Sequence, residues 1–241
     1  MKKRKLGNTG IGVCPLVIGG HGILGGQAGH PEQSIEQAAS TLKMLEDAGM
    51  THFDYTYAEE RRTFRDVIRA GGLEGKLRPI IWYMDQHHEG REENSTQDVV
   101  DNVRYHLDEL GCDRAGAVIK WDNRWPKDWP AYTLDAMDQL KNKGLTEAVG
   151  LGVLAGSRAN EEYLWDTWEH WDFIAPYWNY ALRRGQMLVE FARERGMGVY
   201  SVGAFLRGAV FNWPGVRPAT FVRPWLKWIL REPSVFGFAL S

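Results

Sequence analysis

Short apolar runs alternate with amphipathic segments along the whole chain. Runs rich in Val, Ile, Phe and Tyr predict buried strands, since a parallel sheet covered on both faces needs apolar residues on both. We place these strands at residues 11–18, 50–57, 79–84, 115–119, 148–154, 173–177, 198–205 and 235–240. Between them, amphipathic periodicity predicts helices at residues 35–48, 59–70, 96–110, 134–140, 161–170, 186–195 and 223–231.

Two of the predicted helices carry clear start and stop signals. Ser34 and Gln37 form a capping-box pattern, and Gly49 follows that helix as its stop. Ser95 is placed to cap a later helix, which ends at Gly111. These signals support the alternation of strands and helices that the apolar pattern predicts.

Strict alternation with eight predicted strands favours a closed (β/α)8 barrel, the TIM barrel, over a large open sheet. No linker or change of composition interrupts the pattern, so we predict a single domain that covers residues 1–241. The sequence ends directly after the eighth predicted strand. We therefore expect a barrel that lacks the eighth helix, which leaves an apolar strip on the outer side of strand eight. Either a partner, such as a second copy of the chain, covers this strip, or the chain is an abbreviated product.

Composition excludes several classes of partner. The formal net charge is −2, which gives no general attraction to nucleic acid or to an anionic membrane. Two cysteines are too few for a disulfide framework and fit a reducing compartment. The sequence has no signal peptide and no apolar run of transmembrane length. We expect a soluble cytoplasmic protein that acts on a small molecule.

In (β/α)8 barrels the chemistry lies at the carboxyl ends of the strands. Here those ends carry acids, phenols, imidazoles and a lysine, which suit general acid–base work on a small organic substrate. The predicted catalytic residues are Asp54, Tyr57 and Lys120. The predicted substrate contacts are His21, Tyr83, Asp85, His87, Trp121, Trp178 and Asn179.

Two features of this set leave alternatives open. Lys120 is either a base or Schiff-base nucleophile with a lowered pKa, or the partner of a nearby aspartate in a structural ion pair. His21, Asp54 and either His87 or His88 are ligand types that suit zinc or iron, but no close ligand motif joins them. We predict no metal site.

Several segments resemble the aldo-keto reductase family. Residues 1–20 (MKKRKLGNTGIGVCPLVIGG) resemble its amino-terminal hairpin and first strand, and residues 48–54 (AGMTHFD) resemble its second strand. Residues 110–113 (LGCD), 140–152 (LKNKGLTEAVGLG) and 192–208 (ARERGMGVYSVGAFLRG) are similar to later motifs in the same order. The resemblance covers the whole chain and implies the (β/α)8 barrel of that family.

The resemblance also implies carbonyl reduction with NADPH. In that family an Asp, a Tyr, a Lys and a His lie on the rim of the barrel, and the Tyr gives a proton to the carbonyl oxygen. Asp54 matches the family's Asp, whereas Glu59 stands at the position of its Tyr and Tyr57 lies two residues earlier. The end of the third strand has no lysine. Trp121 stands at the position of the family's His.

The cofactor motifs differ as well. The family's Ser-Asn pair after strand five, which holds the nicotinamide, is replaced by Gly152 and Val153. The segment that binds the cofactor phosphates after strand eight has no counterpart. We therefore assign no cofactor-binding residue and predict no cofactor from the residues themselves, while the resemblance implies NADP.

Three functions follow from this pattern. The first is cofactor-independent acid–base chemistry of the lyase, cyclase or isomerase type, with Asp54, Tyr57 and Lys120 as its acids and bases. The second is NAD(P)H-dependent carbonyl reduction, as the resemblance implies. The third is a non-catalytic barrel that binds or assembles with a partner. We expect the first.

Overall fold

The computed structural model describes residues 2–20, 33–83, 95–121, 129, 131–153, 158–183, 185–206 and 208–240. The strands in these ranges are β1 (Arg4–Lys5), β2 (Gly12–Val13), β3 (Leu16–Gly19), β4 (His52–Tyr55), β5 (Arg78–Tyr83), β6 (Ala117–Lys120), β7 (Val149–Val153), β8 (Phe173–Pro176), β9 (Gly198–Ser201) and β10 (Val235–Leu240). The α-helices are α1 (Ile35–Asp47), α2 (Ala58–Gly71), α3 (Thr96–Leu110), α4 (Thr133–Asn142), α5 (Arg158–Thr167), α6 (Gln186–Glu194) and α7 (Pro218–Leu230). None of the helices described is both long enough and apolar enough to cross a membrane.

Strands β3 to β10 form a closed parallel barrel in the order β10-β3-β4-β5-β6-β7-β8-β9. Each neighbouring pair is parallel, and β10 closes the barrel by pairing with both β9 and β3. Strands β1 and β2 form a separate antiparallel hairpin that packs against the amino-terminal end of the barrel. The predicted (β/α)8 fold is confirmed. The part of the chain that the structure describes holds one α-helix fewer than the barrel has strands.

The core has two layers. Side chains on the inner face of the strands fill the barrel itself and include Val17, Ile80, Ile119, Phe173 and Phe236. Side chains on the outer face pack against the helices in a larger cluster. Strands buried on both faces explain why their sequences are apolar at nearly every position.

Helix boundaries follow local signals. The Ser34 hydroxyl accepts a hydrogen bond from the backbone N–H of Gln37, and the Gln37 side chain accepts one from the N–H of Ser34. This is the predicted capping box. Helices α2 and α3 end at Gly72 and Gly111, which adopt the left-handed conformation that favours glycine.

Proline and glycine explain three boundaries that the apolar pattern misplaced. The run predicted at 11–18 is two strands, separated at Pro15, whose nitrogen has no hydrogen to donate to a sheet. Strand β9 ends at Ser201 because Gly203 turns the chain with a φ of +64°. Helix α7 begins at Pro218, five residues before its predicted start at residue 223. Pro218 lies in the first turn, where proline is tolerated, and Pro224 lies in the interior of the helix.

The outer face of β10 is better covered than the sequence indicated. Val235 and Phe238 are fully buried in the outer core layer, and Ile18 of β3 is buried with them. Only Leu16 and Leu240 are half-exposed on these strands' outer face. The wide apolar strip expected there is therefore reduced to two side chains, and a partner that would cover it stays a prediction.

Arg4 on β1 binds the segment that joins α7 to β10. Its guanidinium donates hydrogen bonds to the carbonyl oxygens of Leu230, Glu232 and Val235 at 2.9, 2.8 and 2.6 Å. Leu230 is the last residue of α7, where backbone carbonyls lack partners within the helix. Arg4 thus caps this helix and holds it against the start of β10.

His52 lies inside the amino-terminal half of the barrel. Its imidazole contacts Gly116, where a Cβ atom would lie 2.5 Å from Cδ2 of His52. Among the described residues, Nε2 of His52 has no hydrogen-bond partner. Burial, together with the positive charges of Arg78 and Lys3, lowers the pKa of His52 to about 4. Folding therefore keeps this histidine neutral.

We expect His52 to make stability depend on pH. Between about pH 6.5 and pH 4 the unfolded chain binds a proton that the folded chain excludes, so stability falls as the pH is lowered through this window. The full loss is about 3 kcal/mol, since one pKa unit is worth about 1.4 kcal/mol. Urea unfolding of the wild type and of His52→Gln at pH 7 and pH 5 measures the part of this loss that lies above pH 5, about 2 kcal/mol.

The matched control is His170→Gln, which removes a histidine on the surface. The His52→Gln variant should lose less stability than the wild type between the two pH values, whereas His170→Gln should follow the wild type. Equal losses in all three proteins would exclude His52 as the cause.

Candidate functional site

A cavity of about 110 Å³ opens at the carboxyl end of the barrel strands. It is the end at which (β/α)8 barrels carry their chemistry. The described residues that line the cavity are Asp54, Thr56, Tyr57, Trp82, Trp121, Val153, Ala175, Tyr177, Val202, Gly203, Ala204, Phe205 and Ala239. Aromatic rings and small side chains make up most of this wall, and Asp54 is the charged residue among the described members.

The Asp54 carboxylate is held from across the barrel. The phenol of Tyr200 on β9 donates a hydrogen bond to Oδ2 of Asp54 at 2.8 Å. Burial raises the pKa of Tyr200 well above its usual value, and the negative charge of Asp54 raises it further. Tyr200 therefore stays a proton donor in this bond, which stabilises Asp54 as a carboxylate acceptor.

Tyr57 lies at the mouth of the cavity, on the turn between β4 and α2. The buried Glu60 carboxylate accepts hydrogen bonds from the backbone N–H groups of Thr56 and Tyr57 at 2.8 and 3.3 Å. These bonds fix the turn at the positive end of the α2 dipole. The Tyr57 side chain is 37% exposed. It lines the cavity with Asp54 and also reaches solvent.

Two tryptophans form part of this wall, and one of them, Trp121, stands where the resemblance implied a histidine. Trp82 lies near the end of β5 and Trp121 directly follows β6. Their ring centroids are 6.3 Å apart and the ring planes are perpendicular. Gly152 on β7 makes room for Trp121, because a Cβ atom there would lie 2.8 Å from the indole. The indole of Trp121 therefore fills the space that the absence of a side chain at Gly152 leaves.

Lys120, predicted as catalytic, lies outside this cavity. It is fully buried in the outer layer, with Nζ 4.9 Å from the centre of the Trp129 ring and 5.4 Å from that of Tyr83. Aromatic faces attract a buried ammonium group. Tyr83 also belongs to the outer core layer, so the structure does not bring Lys120 or Tyr83 to Asp54 and Tyr57.

Trp178 and Asn179 stand behind the cavity wall. Trp178 packs against Trp228 at a centroid distance of 4.7 Å and donates to the side chain of Gln186. The Asn179 amide donates to the carbonyl oxygen of Gly203 at 2.8 Å. Because Gly203 lines the cavity, Asn179 shapes the site without lining it.

The remaining predicted contacts are His21, Asp85 and His87, which lie outside the described residues. Of the set predicted from sequence, the structure brings together Asp54, Tyr57 and Trp121. Sequence reasoning missed Trp82, Tyr177, Tyr200 and Phe205. Trp82 and Tyr200 lie on the inner face of their strands, and alternation would identify them once one inward residue of each strand is known. The residues that the structure describes include no cluster of histidine, cysteine and acidic side chains able to hold a metal ion.

A groove of about 600 Å³ adjoins the cavity at the start of α7. Its described lining includes Tyr180, Arg217, Thr220, Phe221 and Trp225. The indole N–H of Trp225 donates to the carbonyl oxygen of Ala204 at 2.6 Å, and Ala204 lines the cavity. This hydrogen bond joins the wall of the groove to the wall of the cavity.

The segment that forms this groove is basic. Residues 208–231 contain four basic residues and no acidic residue, in a chain whose net charge is −2. Arg217 directly precedes α7, whose first backbone N–H groups provide a partial positive charge. This side of the rim suits an anion such as a phosphate.

No protein-family model matches this sequence, and no curated protein is similar to it by sequence. Solved structures do match its fold. A Pseudomonas aeruginosa protein assigned to the aldo-keto reductases superposes with a TM-score of 0.75 at 19% identity, over 99% of this chain and 88% of that one. The chain has the aldo-keto reductase fold. Its likeness to that fold extends over the entire barrel.

Two further structures with the aldo-keto reductase fold match almost equally well. A thermostable aldo-keto reductase, solved with the inhibitor epalrestat, has a TM-score of 0.74 at 21% identity, over 100% of this chain and 89% of that one. The holo form of an aldo-keto reductase from Bacillus halodurans has a TM-score of 0.74 at 18% identity, over 100% of this chain and 86% of that one. At such identities the comparison establishes the fold and leaves the chemistry to the residues of the site.

We expect Tyr200→Phe to destabilise this aldo-keto reductase fold. The change removes a hydrogen bond to a charged acceptor and leaves Asp54 with one donor fewer, which costs about 1.5–3 kcal/mol. Urea unfolding at pH 7 measures the loss. As a control, Tyr180→Phe removes the phenol of a side chain that is 50% exposed and should stay within about 0.5 kcal/mol of the wild type. Equal stability of Tyr200→Phe and wild type would contradict the structural role of the bond.

Proposed function

We propose that the chain is an NAD(P)H-dependent reductase of small carbonyl compounds. The observation that carries the proposal is a cavity at the carboxyl end of the barrel that holds both an acid, Asp54, and a phenol open to solvent, Tyr57. Asp54 also matches the acid of the family that the sequence resembles. The three structures described above, which share this fold, are identified as aldo-keto reductases.

This proposal replaces the cofactor-independent chemistry expected from the sequence. That chemistry relied on Lys120 as a base beside Asp54 and Tyr57. Lys120 is instead buried between Tyr83 and Trp129 in the outer layer, and it does not line the cavity. Without it, the described cavity residues offer one carboxylate and two phenols, which favours proton donation to a carbonyl over a lysine-based mechanism.

The groove beside α7 supports a dinucleotide cofactor. Arg217 and the start of α7 would hold its phosphates, and Tyr180, Phe221 and Trp225 would hold its adenine ring by stacking. The groove adjoins the cavity at Ala204 and Trp225, so one extended molecule would reach both. When bound there, NAD(P)H supplies a hydride to the carbonyl carbon of the substrate.

The residues of the chain provide the remaining steps. The Tyr57 hydroxyl donates its proton to the carbonyl oxygen, which becomes the alcohol of the product. Because Tyr57 is 37% exposed, its phenolate regains a proton from solvent. Asp54, held by Tyr200, keeps a negative charge beside this proton path. Trp82 and Trp121 exclude water from the inner wall.

We expect Tyr57→Phe to lower kcat/KM for an aldehyde about 10²- to 10⁴-fold, the range for losing a positioned general acid. The measurement is the decrease in NADPH absorbance with a panel of small aldehydes and ketones. Tyr105→Phe on α3 is the matched control, since Tyr105 is not among the residues that line the cavity, and it should retain wild-type turnover. A wild type that turns over no carbonyl, or a fully active Tyr57→Phe, would refute the proposal.

We expect Arg217→Ala to weaken NADPH binding about 10- to 100-fold, because a charge-assisted hydrogen bond to phosphate is lost. Titration with NADPH, followed by energy transfer from the tryptophans, measures the dissociation constant. Arg223→Ala removes an exposed arginine from the same helix, outside the groove, and should change the constant little. Equal effects of the two changes would show that general charge, and not this groove, attracts the cofactor.

A further inference from the structure

The cavity wall combines aromatic faces with a negative charge. Tyr57, Trp82, Trp121, Tyr177 and Phe205 supply five aromatic side chains, and the Asp54 carboxylate is the charged group among the described residues of the lining. Arg217 is the charged residue among the described residues that line the groove beside α7. Among the described lining residues, the charged group is therefore an acid in the cavity and a base in the groove.

Such a wall attracts organic cations. The faces of indole and phenol rings carry partial negative charge and bind ammonium groups within about 6 Å of their centres. Trp82 and Trp121 both line the cavity, with ring centroids 6.3 Å apart and perpendicular ring planes. Gly152 leaves the space in which Trp121 takes this position. A carboxylate in the same cavity adds a direct charge attraction.

We propose that this cavity binds the cationic head of a small organic amine, such as a trimethylammonium group, with Asp54 as the counter-charge. The volume of about 110 Å³ suits a compact head group. For comparison, an engineered apolar cavity of roughly 150 Å³ binds benzene. An anion would face the Asp54 carboxylate, and a neutral apolar group would gain nothing from it.

The proposed cation site also predicts a class of substrate. If the chain reduces carbonyl compounds, as proposed above, its preferred substrates carry an ammonium group close to the carbonyl. This extension rests on the proposed function, whereas binding of the cation is measured without cofactor or turnover. The two proposals can therefore fail separately.

The test compares choline with 3,3-dimethyl-1-butanol, which has the same shape but no charge. Isothermal titration of the full chain, without cofactor, gives both dissociation constants, and tryptophan fluorescence reports occupancy of the cavity. We expect choline to bind at least about tenfold more tightly than the neutral compound, because cation–π contacts and the carboxylate act only on the charge. Equal affinities, or no binding of choline, would overturn the proposal.

Three variants assign the binding to this cavity. Asp54→Asn and Trp82→Leu should each weaken choline binding about tenfold while changing the affinity for the neutral compound much less. Trp213→Leu removes an indole that is 42% exposed and lies outside the cavity, so it should bind choline as the wild type does. If Trp213→Leu weakens binding and Trp82→Leu does not, the cation binds elsewhere and the proposal is wrong. Carbonyl turnover without choline binding would leave the reductase proposal standing alone.

Discussion

A charged carboxylate on the inner face of the barrel needs hydrogen bonds, and the donor that Tyr200 provides for Asp54 depends on a stack of rings below it. The Tyr200 ring lies parallel to Phe236 at 5.9 Å, and Phe236 meets the edge of Phe173 at 5.2 Å. Phe173 fits only because Gly150 has no side chain, since a Cβ atom there would lie 2.3 Å from the ring. The position of the acid is thus set by packing that begins at the opposite side of the barrel.

Local chemistry made most of the fold predictable. The capping box at Ser34 and the apolar period after it gave α1 nearly as it is observed, and the run around Phe53 gave β4. The errors arose where one residue overrides a continuous apolar pattern. Pro15 divides a run that reads as one strand, and Gly203 ends β9 before its apolar sequence does. Turn geometry then decides the boundary, and periodicity does not.

The site was less predictable because the sequence does not show which face of each strand points into the barrel. Successive residues of a strand point to opposite faces, and when both faces are buried the apolar pattern does not say which face is inner. Lys120 and Trp121 are neighbours in the sequence, yet one lies in the outer layer and the other lines the cavity. Tyr200 presents a second difficulty, because it is 146 residues from the acid that it holds. Only the closed barrel brings the two together.

The contacts of Arg4 have a consequence for the order of folding. The carbonyl oxygens that it binds belong to residues that are 226 to 231 positions away, and β3 must pair with β10 to close the barrel. On a ribosome β1 and β3 therefore wait for residues 230–240 to be synthesised before these partners exist. Until then the edges of β3 and of the growing sheet are unpaired, and unpaired edges favour aggregation. The pairing of β10 with β3 and β9 is therefore the step that removes these exposed edges.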